Sequence, residues 1–424
     1  MTIVSALTIP TLPLQPKKQQ KPMTKRYLLL LLMSLSVALG VNAQTFDFDM
    51  TKDGKGLKSG FLSVEVPDGN YRVRVTFGSK KRAGETTLRC ENRRLLAHNL
   101  VTKKKEMKTL EFVVNKRSPF ITNDKRVRIK EREKNYFTWD DKLTLEIAGE
   151  APAVASIHIE PANDVPTIYL CGNSTVVDQA YEPWASWGQM ITRWFGPEVA
   201  VSNHAESGLA AFSFLAQNRL DKIMATLKKG DWVIVEFGHN DEKYKGDGFG
   251  AWYHYSYNLK IFVDRVRKAG AEIVFCTPTQ RRAWESDNKT IKNTHGDYPA
   301  AMKALAEREN VPVIDLNSMT KTFFETLGHE DSKRALVHYP MGTFEGQTKA
   351  FADNTHFNPY GAYEVAKMVV LGMKQQNLPM AKYLRDTDAE NAEWKNFSPA
   401  TPDDWKTFKW VPSPMTELLK PDGN

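Results

Sequence analysis

Cysteine is scarce in this chain, with only Cys90, Cys171 and Cys276 among 424 residues. Cys171 and Cys276 sit inside apolar, strand-like runs where a small buried side chain fits, so no disulfide framework is expected. There is no His-Glu-x-x-His, no cysteine pair at metal spacing and no Gly-x-x-x-x-Gly-Lys. Zinc-dependent hydrolysis and phosphate-loop chemistry therefore have no motif to rest on, and no cofactor is expected. Internal repeats and low-complexity segments are absent as well. One long apolar run exists, Leu28 to Val41, within MTKRYLLLLLMSLSVALGVNAQ. Its basic start, short apolar core and small-residue end at Ala43 read as a secretory signal over residues 1–43, too short for a membrane span. Basic residues normally open such a signal, which makes Met23 a candidate initiator. No cysteine follows the expected cleavage point, so the mature protein is expected to be exported, periplasmic or secreted, with no membrane attachment.

The net charge of +8 is unevenly placed. Residues 1–44 carry five basic and no acidic residues, residues 45–150 a net +8, and the remainder a net −5. The basic stretches KKKEMK (103–108) and KRVRIKEREK (125–134) read either as a solvated face or as a surface for a polyanion. Nucleic acid is not expected, because the chain is read as exported and no nucleic-acid motif accompanies the charge. An acidic polysaccharide suits the compartment better.

Two patterns divide the rest. From 45 to about 160, short alternating runs such as FLSVEV, YRVRVTF, TLEFVV and LTLEIA are separated by turn residues, which predicts an all-β sandwich; its basic charge makes it a candidate carbohydrate-binding accessory domain. From 166 to 378 the apolar runs TIYLC, VAVSN, WVIVEF, EIVFCT and VPVIDL alternate with amphipathic segments, which predicts an α/β domain with a doubly wound, parallel five-stranded sheet. The stretch from 379 to 424 reads as an extended tail packed on the surface by Trp394, Trp405 and Trp410.

In such a sheet, ligands bind beyond the carboxyl ends of the strands. Strand one ends at Gly172-Asn173-Ser174, strand two in SNHAESG with Gly208, and strand three in FGHND with Asn240. DNTHFN, holding Asp353 and His356, precedes the last helix. Serine hydrolysis needs a nucleophile, a base, a group that orients the base and donors for the oxyanion. Ser174, His356 and Asp353 can supply the first three, and the Ser174 and Gly208 N–H groups with the Asn240 amide can supply the donors. Each also has an ordinary explanation: Ser174 as a helix cap, Gly208 as a turn glycine, Asn240 in an Asx turn, Asp353 as a cap and His356 at the surface. Their joint placement at successive strand ends favours the catalytic set. His204 and His239 read as cleft lining or as packed structural groups, and the Arg281, Arg282, Trp284 loop as a uronate-and-sugar contact or a surface salt-bridge loop.

The combination resembles the SGNH (GDSL-type) hydrolase family, whose four naming residues match Ser174, Gly208, Asn240 and His356. The stretches SNHAESGLAAFSFLAQNRLDKI, FGHNDEK, TPTQRRAW, THGDYPAAMKALAE, VPVIDLNSMTKTFFETLG and DNTHFNPYGA resemble its rhamnogalacturonan acetylesterase branch. The resemblance covers about residues 166–378. It implies a flavodoxin-like sheet and a serine esterase that removes acetyl groups from pectic polysaccharide without metal or organic cofactor. One departure stands out: Asn173 occupies the place where the family usually has an aspartate, so the bracing of the nucleophile loop differs. The rival readings are an inactive carbohydrate-binding relative and an esterase for other small acyl groups.

Overall fold

The computed structural model describes residues 44–51, 60–385, 394–402 and 406–421. The expected signal segment 1–43 and Trp405 lie outside the described residues. Residues Thr45–Asn424 form one compact unit.

Its centre is a parallel sheet of β9 (Thr167–Gly172), β10 (Ala200–Asn203), β11 (Trp232–Glu236), β12 (Glu272–Cys276) and β13 (Val313–Ile314), in the spatial order β10-β9-β11-β12-β13. This is the doubly wound order 2-1-3-4-5 of flavodoxin-like sheets, with its switch point around β9. Both faces are covered, which explains why these strands are apolar without alternation. Ile168 and Leu170 face one core with Trp232, Ile234, Val274 and Cys276. Tyr169 and Cys171 face the other with Val233, Val235, Ile273 and Phe275.

The first face is covered by α1 (Trp187–Met190), and the second by the short α2 (Ala211–Ala216) and α3 (Arg219–Met224) together with α4 (Ser256–Lys268) and α5 (Tyr298–Glu309). The first face is completed by α6 (Leu316–Asp331) and α7 (Pro359–Gln375). The pattern FLAQNRLDKIMATLKK is not one helix, because Asn218 takes a left-handed conformation (φ 60°) between α2 and α3. An antiparallel hairpin, β14 (Leu336–Tyr339) with β15 (Phe351–Phe357), precedes α7 and was not visible in the sequence pattern.

The front strands make two antiparallel layers. One is ordered β2 (Phe61–Glu65), β7 (Lys142–Ala151), β4 (Gly84–Cys90), β5 (Arg94–Thr102). The other is β1 (Phe46–Asp49), β8 (Val154–Pro161), β3 (Gly69–Gly78), β6 (Met107–Lys116). Alternate residues of both, including Val73, Val75 and Phe77 against Leu88, Leu143 and Leu145, share one apolar core. The second layer does not stop at β6: Val114 pairs in parallel with Val201 of β10, giving one nine-stranded sheet. Burying that seam draws much of the front segment's positive charge inside. Arg89 pairs with Glu146, Arg93 with Glu182 and Arg94 with Asp178, all buried. Within KRVRIKEREK, Glu133 pairs with Arg219 at 2.6 Å and Arg132 with Glu206. Lys103, Lys104 and Lys105 remain exposed. All three cysteines are buried and unpaired.

Candidate active site

At the end of β9 the chain turns sharply. Val176 N–H and Val177 N–H both donate to Asn173 O, and Asn173 Oδ1 accepts from Thr175 N–H (3.1 Å) and Thr175 Oγ1 (2.9 Å). Asn173 thus does the local capping, and Ser174 stands at the tip of the turn. Its hydroxyl has no hydrogen-bond partner among the described residues, which a capping serine would require. Gly172 must be glycine, since an added Cβ would lie 2.4 Å from Val176 Cγ2 and 2.9 Å from Glu236 O.

A buried carboxyl braces this turn. Glu236, the last residue of β11, meets Thr175 Oγ1 at 2.7 Å and accepts from Trp187 Nε1 at 2.5 Å. Burial, only partly offset by the Trp187 and Thr175 hydrogen bonds, raises the Glu236 pKa to about 7. In the protonated form Oε1–H donates to Thr175 Oγ1, whose own proton goes to Asn173 Oδ1, so each oxygen along this line has a partner, while Asn173 Nδ2 is buried without one among the described residues. The neutral Asn173 amide is therefore held by a carboxyl from the neighbouring strand.

The β10 end lies against this turn. His204 N–H bonds Leu170 O and Glu206 N–H bonds Gly172 O, carrying the strand pairing past Asn203. Gln179 Nε2 then links Ser174 O (3.0 Å) to Ser207 Oγ (3.3 Å). Gly208 has φ +80°, a conformation that glycine adopts without strain. Among the described residues neither the Ser174 nor the Gly208 N–H donates a hydrogen bond.

After β11, Asp241 ties the third loop down by accepting from Gly238 N–H (3.0 Å) and from Ala211 N–H at the start of α2 (2.9 Å). Burial nonetheless outweighs these bonds and raises its pKa to about 7. Asn240 Nδ2 donates to Leu209 O at 3.1 Å while its Oδ1 accepts from Lys243 Nζ at 3.1 Å. The ammonium fixes which way the amide faces and leaves one N–H for a ligand.

The hairpin brings the last pair. Asp353 Oδ1 accepts from the N–H groups of Thr355 (2.8 Å) and His356 (2.9 Å), and Oδ2 lies 2.8 Å from His356 Nδ1. Burial pushes the Asp353 carboxyl up, but the His356 hydrogen bond and charge outweigh it and hold the carboxyl well below the usual range. With Nδ1 turned to the carboxylate, Nε2 is the atom able to exchange a proton. The Trp184 ring meets His356 edge-on at 5.6 Å. No Ser174–His356 hydrogen bond is formed among the described residues; such contacts commonly tighten only when substrate arrives.

The other expected residues are placed differently. His204 is buried between Trp139 and Tyr169 and bonds Ser202 Oγ, and His239 is buried against the His295 ring. Arg281 pairs with Glu242 at 2.5 Å and donates to His239 O, beneath the Asn240 loop. Arg282 is turned inward onto Ser332, Asn354 and His329 O, and Trp284 packs on the apolar core beside His329. Neither Arg282 nor Trp284 lines the cavity of about 170 Å³ that adjoins Gln179 and Trp184. That cavity is walled by Arg132, from the basic stretch 125–134, and by residues with no signal in the sequence, including Tyr136 and Lys420. Lys243, three residues beyond Asn240, was the one additional participant within reach of a sequence argument.

Residues 170–362 match the GDSL-like lipase/acylhydrolase family. Rhamnogalacturonan acetylesterase RhgT of Bacillus subtilis (strain 168) is 40% identical over 219 residues, which span 51% of this chain and 93% of that protein. The probable rhamnogalacturonan acetylesterase YesY of the same organism is 33% identical over 220 residues, 51% of this chain and 95% of its own length. The uncharacterized esterase YxiM, also of B. subtilis, is 27% identical over 354 residues, 78% of this chain and 81% of that protein. With the serine turn, the Asp–His pair and these relatives in view, the chain belongs to the GDSL-like lipase/acylhydrolase family, in its rhamnogalacturonan acetylesterase branch, and is a carboxylic ester hydrolase.

Proposed function

We propose that the protein is an exported serine esterase that removes acetyl groups from a pectic polysaccharide through an acetyl-enzyme intermediate. The observation that carries this reading is the Asp353–His356 hydrogen bond, which orients the imidazole that we pair with Ser174. His356 Nε2 takes the Ser174 proton as Oγ attacks the acetyl carbonyl. The Ser174 and Gly208 N–H groups and the Asn240 amide receive the oxyanion. The bond to the sugar oxygen breaks as His356 returns the proton to the leaving alcohol, and water then releases acetate by the same route. Asp353 stays ionised throughout, in keeping with its strongly lowered pKa. The pectic substrate is supported by the two relatives named for rhamnogalacturonan, each matched over more than nine-tenths of its length. Export is supported by the signal-like composition of residues 1–43.

The test is acetate release from acetylated pectin fractions by the mature protein beside Ser174→Ala. Release that disappears in the variant supports the reading. Failure of the wild-type protein on every acetylated pectin, with retained binding, would favour the inactive carbohydrate-binding alternative. Activity that rises with acyl-chain length on model esters would favour an esterase for other acyl groups.

A further inference from the structure

The cavity beside the serine turn has two walls that lie outside residues 170–362, the segment matched by the family. The first wall is the tail. Glu182 N–H donates to Met415 O (2.8 Å), Glu417 N–H to Glu182 O (3.1 Å) and Trp184 Nε1 to Glu417 O (3.1 Å). The buried Glu182 carboxylate also forms an ion pair with Arg93 (2.6 Å) and accepts from Trp410 Nε1 (2.9 Å) and Ser413 N–H (3.1 Å). This anchor carries Lys420, an exposed residue, to 3.3 Å from Asp353 Oδ2, the oxygen that also holds His356. The second wall is the short turn Glu131–Asn135 and Tyr136, docked by Arg132 on Glu206 (Nε 3.0 Å) and by Lys130 Nζ on Ser207 O (2.7 Å). Tyr136 stands edge-on to Tyr181 at 6.0 Å, and with Trp184 the two tyrosines give the cavity an aromatic lining.

Both signs of charge meet around this space: Arg132, Glu417 and Lys420 line it. Lys243 has its pKa lowered by burial and by the charges of Arg281 and Lys420, against Glu242, which raises it. Each nearby acid has a partner: Asp353 has His356 and Lys420, Glu206 has Arg132, Glu242 has Arg281 and His295, and the Glu417 carboxylate has Leu419 N–H. The Lys420 side chain is 47% exposed, and its present partner is already bound to an imidazole. A narrow cavity with aromatic faces and an exposed ammonium has the chemistry to hold a single acidic sugar ring: aromatic faces cover C–H surface while the ammonium meets the carboxylate.

We propose that this cavity is a uronate subsite in which Lys420 binds the sugar carboxylate and Tyr136, Tyr181 and Trp184 pack on the ring, so that the front strands and the tail, not the Arg281–Trp284 loop, select an acidic substrate. The inference rests on the polysaccharide reading above, but its test does not need catalysis. Calorimetric titration of the full-length mature Ser174→Ala protein with an unacetylated galacturonate-containing pectic oligosaccharide, and with the same oligosaccharide after carboxyl reduction, reads the subsite directly. The acidic ligand should bind at least tenfold more tightly than the reduced one. Adding Lys420→Gln should remove that preference, adding Lys420→Arg should keep most of it, and raising salt should erode it. Equal binding of the two ligands, or an acidic preference unchanged by Lys420→Gln, would overturn the proposal. If the preference holds while the active enzyme releases no acetate, the acetylesterase reading fails and the subsite stands. If acetate is released and Lys420→Gln keeps the preference, the reverse is true.

Discussion

Replacing Glu236 by Gln isolates the group that braces the serine turn. The folded protein keeps the Glu236 proton up to pH about 7, whereas an unfolded chain releases it near the ordinary value of 4.5. Between those values the folded state binds more protons, so this group's stabilisation is fully present below pH 4.5 and is lost as pH rises through about 7. At about 1.4 kcal/mol per pH unit, the gap corresponds to about 3 kcal/mol. Glutamine copies the protonated acid: its amide nitrogen can donate to Thr175 Oγ1 at the 2.7 Å position and its oxygen can accept from Trp187 Nε1. Urea unfolding of the wild type and Glu236→Gln at pH 4.5 and 8 is the assay. The two should be close in stability at pH 4.5, and Glu236→Gln should be the more stable by on the order of 2–3 kcal/mol at pH 8. Glu91, Glu206 and Asp241, whose pKa values are also raised, contribute equally to both proteins and cancel in the difference. A difference that does not change with pH would refute the protonated-bridge assignment. Glu236→Ala, which leaves the Trp187 N–H without its acceptor and the Thr175 hydroxyl with Asn173 alone, should cost about 3 kcal/mol or more at pH 4.5 and correspondingly less at pH 8, where the wild-type carboxyl is charged, and should lower activity.

Asn240→Ala removes one oxyanion donor and should lower kcat by about 10²–10³ with little change in KM, measured by acetate release. Lys243→Ala frees the Asn240 amide to turn; it should lower kcat less than Asn240→Ala does, and an equal loss would mean that Lys243 itself meets the substrate. Asp353→Asn places an amide where His356 Nδ1–H needs an acceptor, so a fall in kcat of about 10³–10⁴ is expected in a protein whose thermal midpoint stays close to that of the wild type. Gly172→Ala drives a methyl into Val176 and Glu236 O and should cost about 1–3 kcal/mol in urea unfolding. Glu182→Ala leaves Arg93 buried without its partner and should cost about 3–5 kcal/mol, with early proteolytic loss of the tail if the carboxylate anchors it.

What the sequence determined by itself is local. Apolar runs bounded by Gly and Asn specify β9, β11 and β12 because a strand buried on both faces must be apolar at every position. The residues just past them specify a serine turn, a left-handed glycine and a loop held by Asp241 on Gly238 N–H, because strand, turn and cap chemistry act within a few residues. Asp353 and His356 were legible as a pair because the carboxylate reaches the imidazole across one turn of backbone. The tertiary structure decided the rest. The alternation in β3 and β6 predicts β layers but not that β6 continues the parallel sheet through Val114 and Val201, since an edge strand's partner is chosen by long-range docking. Asn173 is linked through Thr175 to Glu236, 63 positions away in the chain, and nothing near either residue announces that link. Arg282 and Trp284 carried a plausible sugar-binding composition, yet packing turned one inward and laid the other on the core. Lys420, near the C-terminus, faces Asp353 only because Glu182 holds the tail in place through Arg93, Trp410 and Ser413. Contacts of that kind depend on which surfaces meet after the core has formed, and short-range pattern does not encode them.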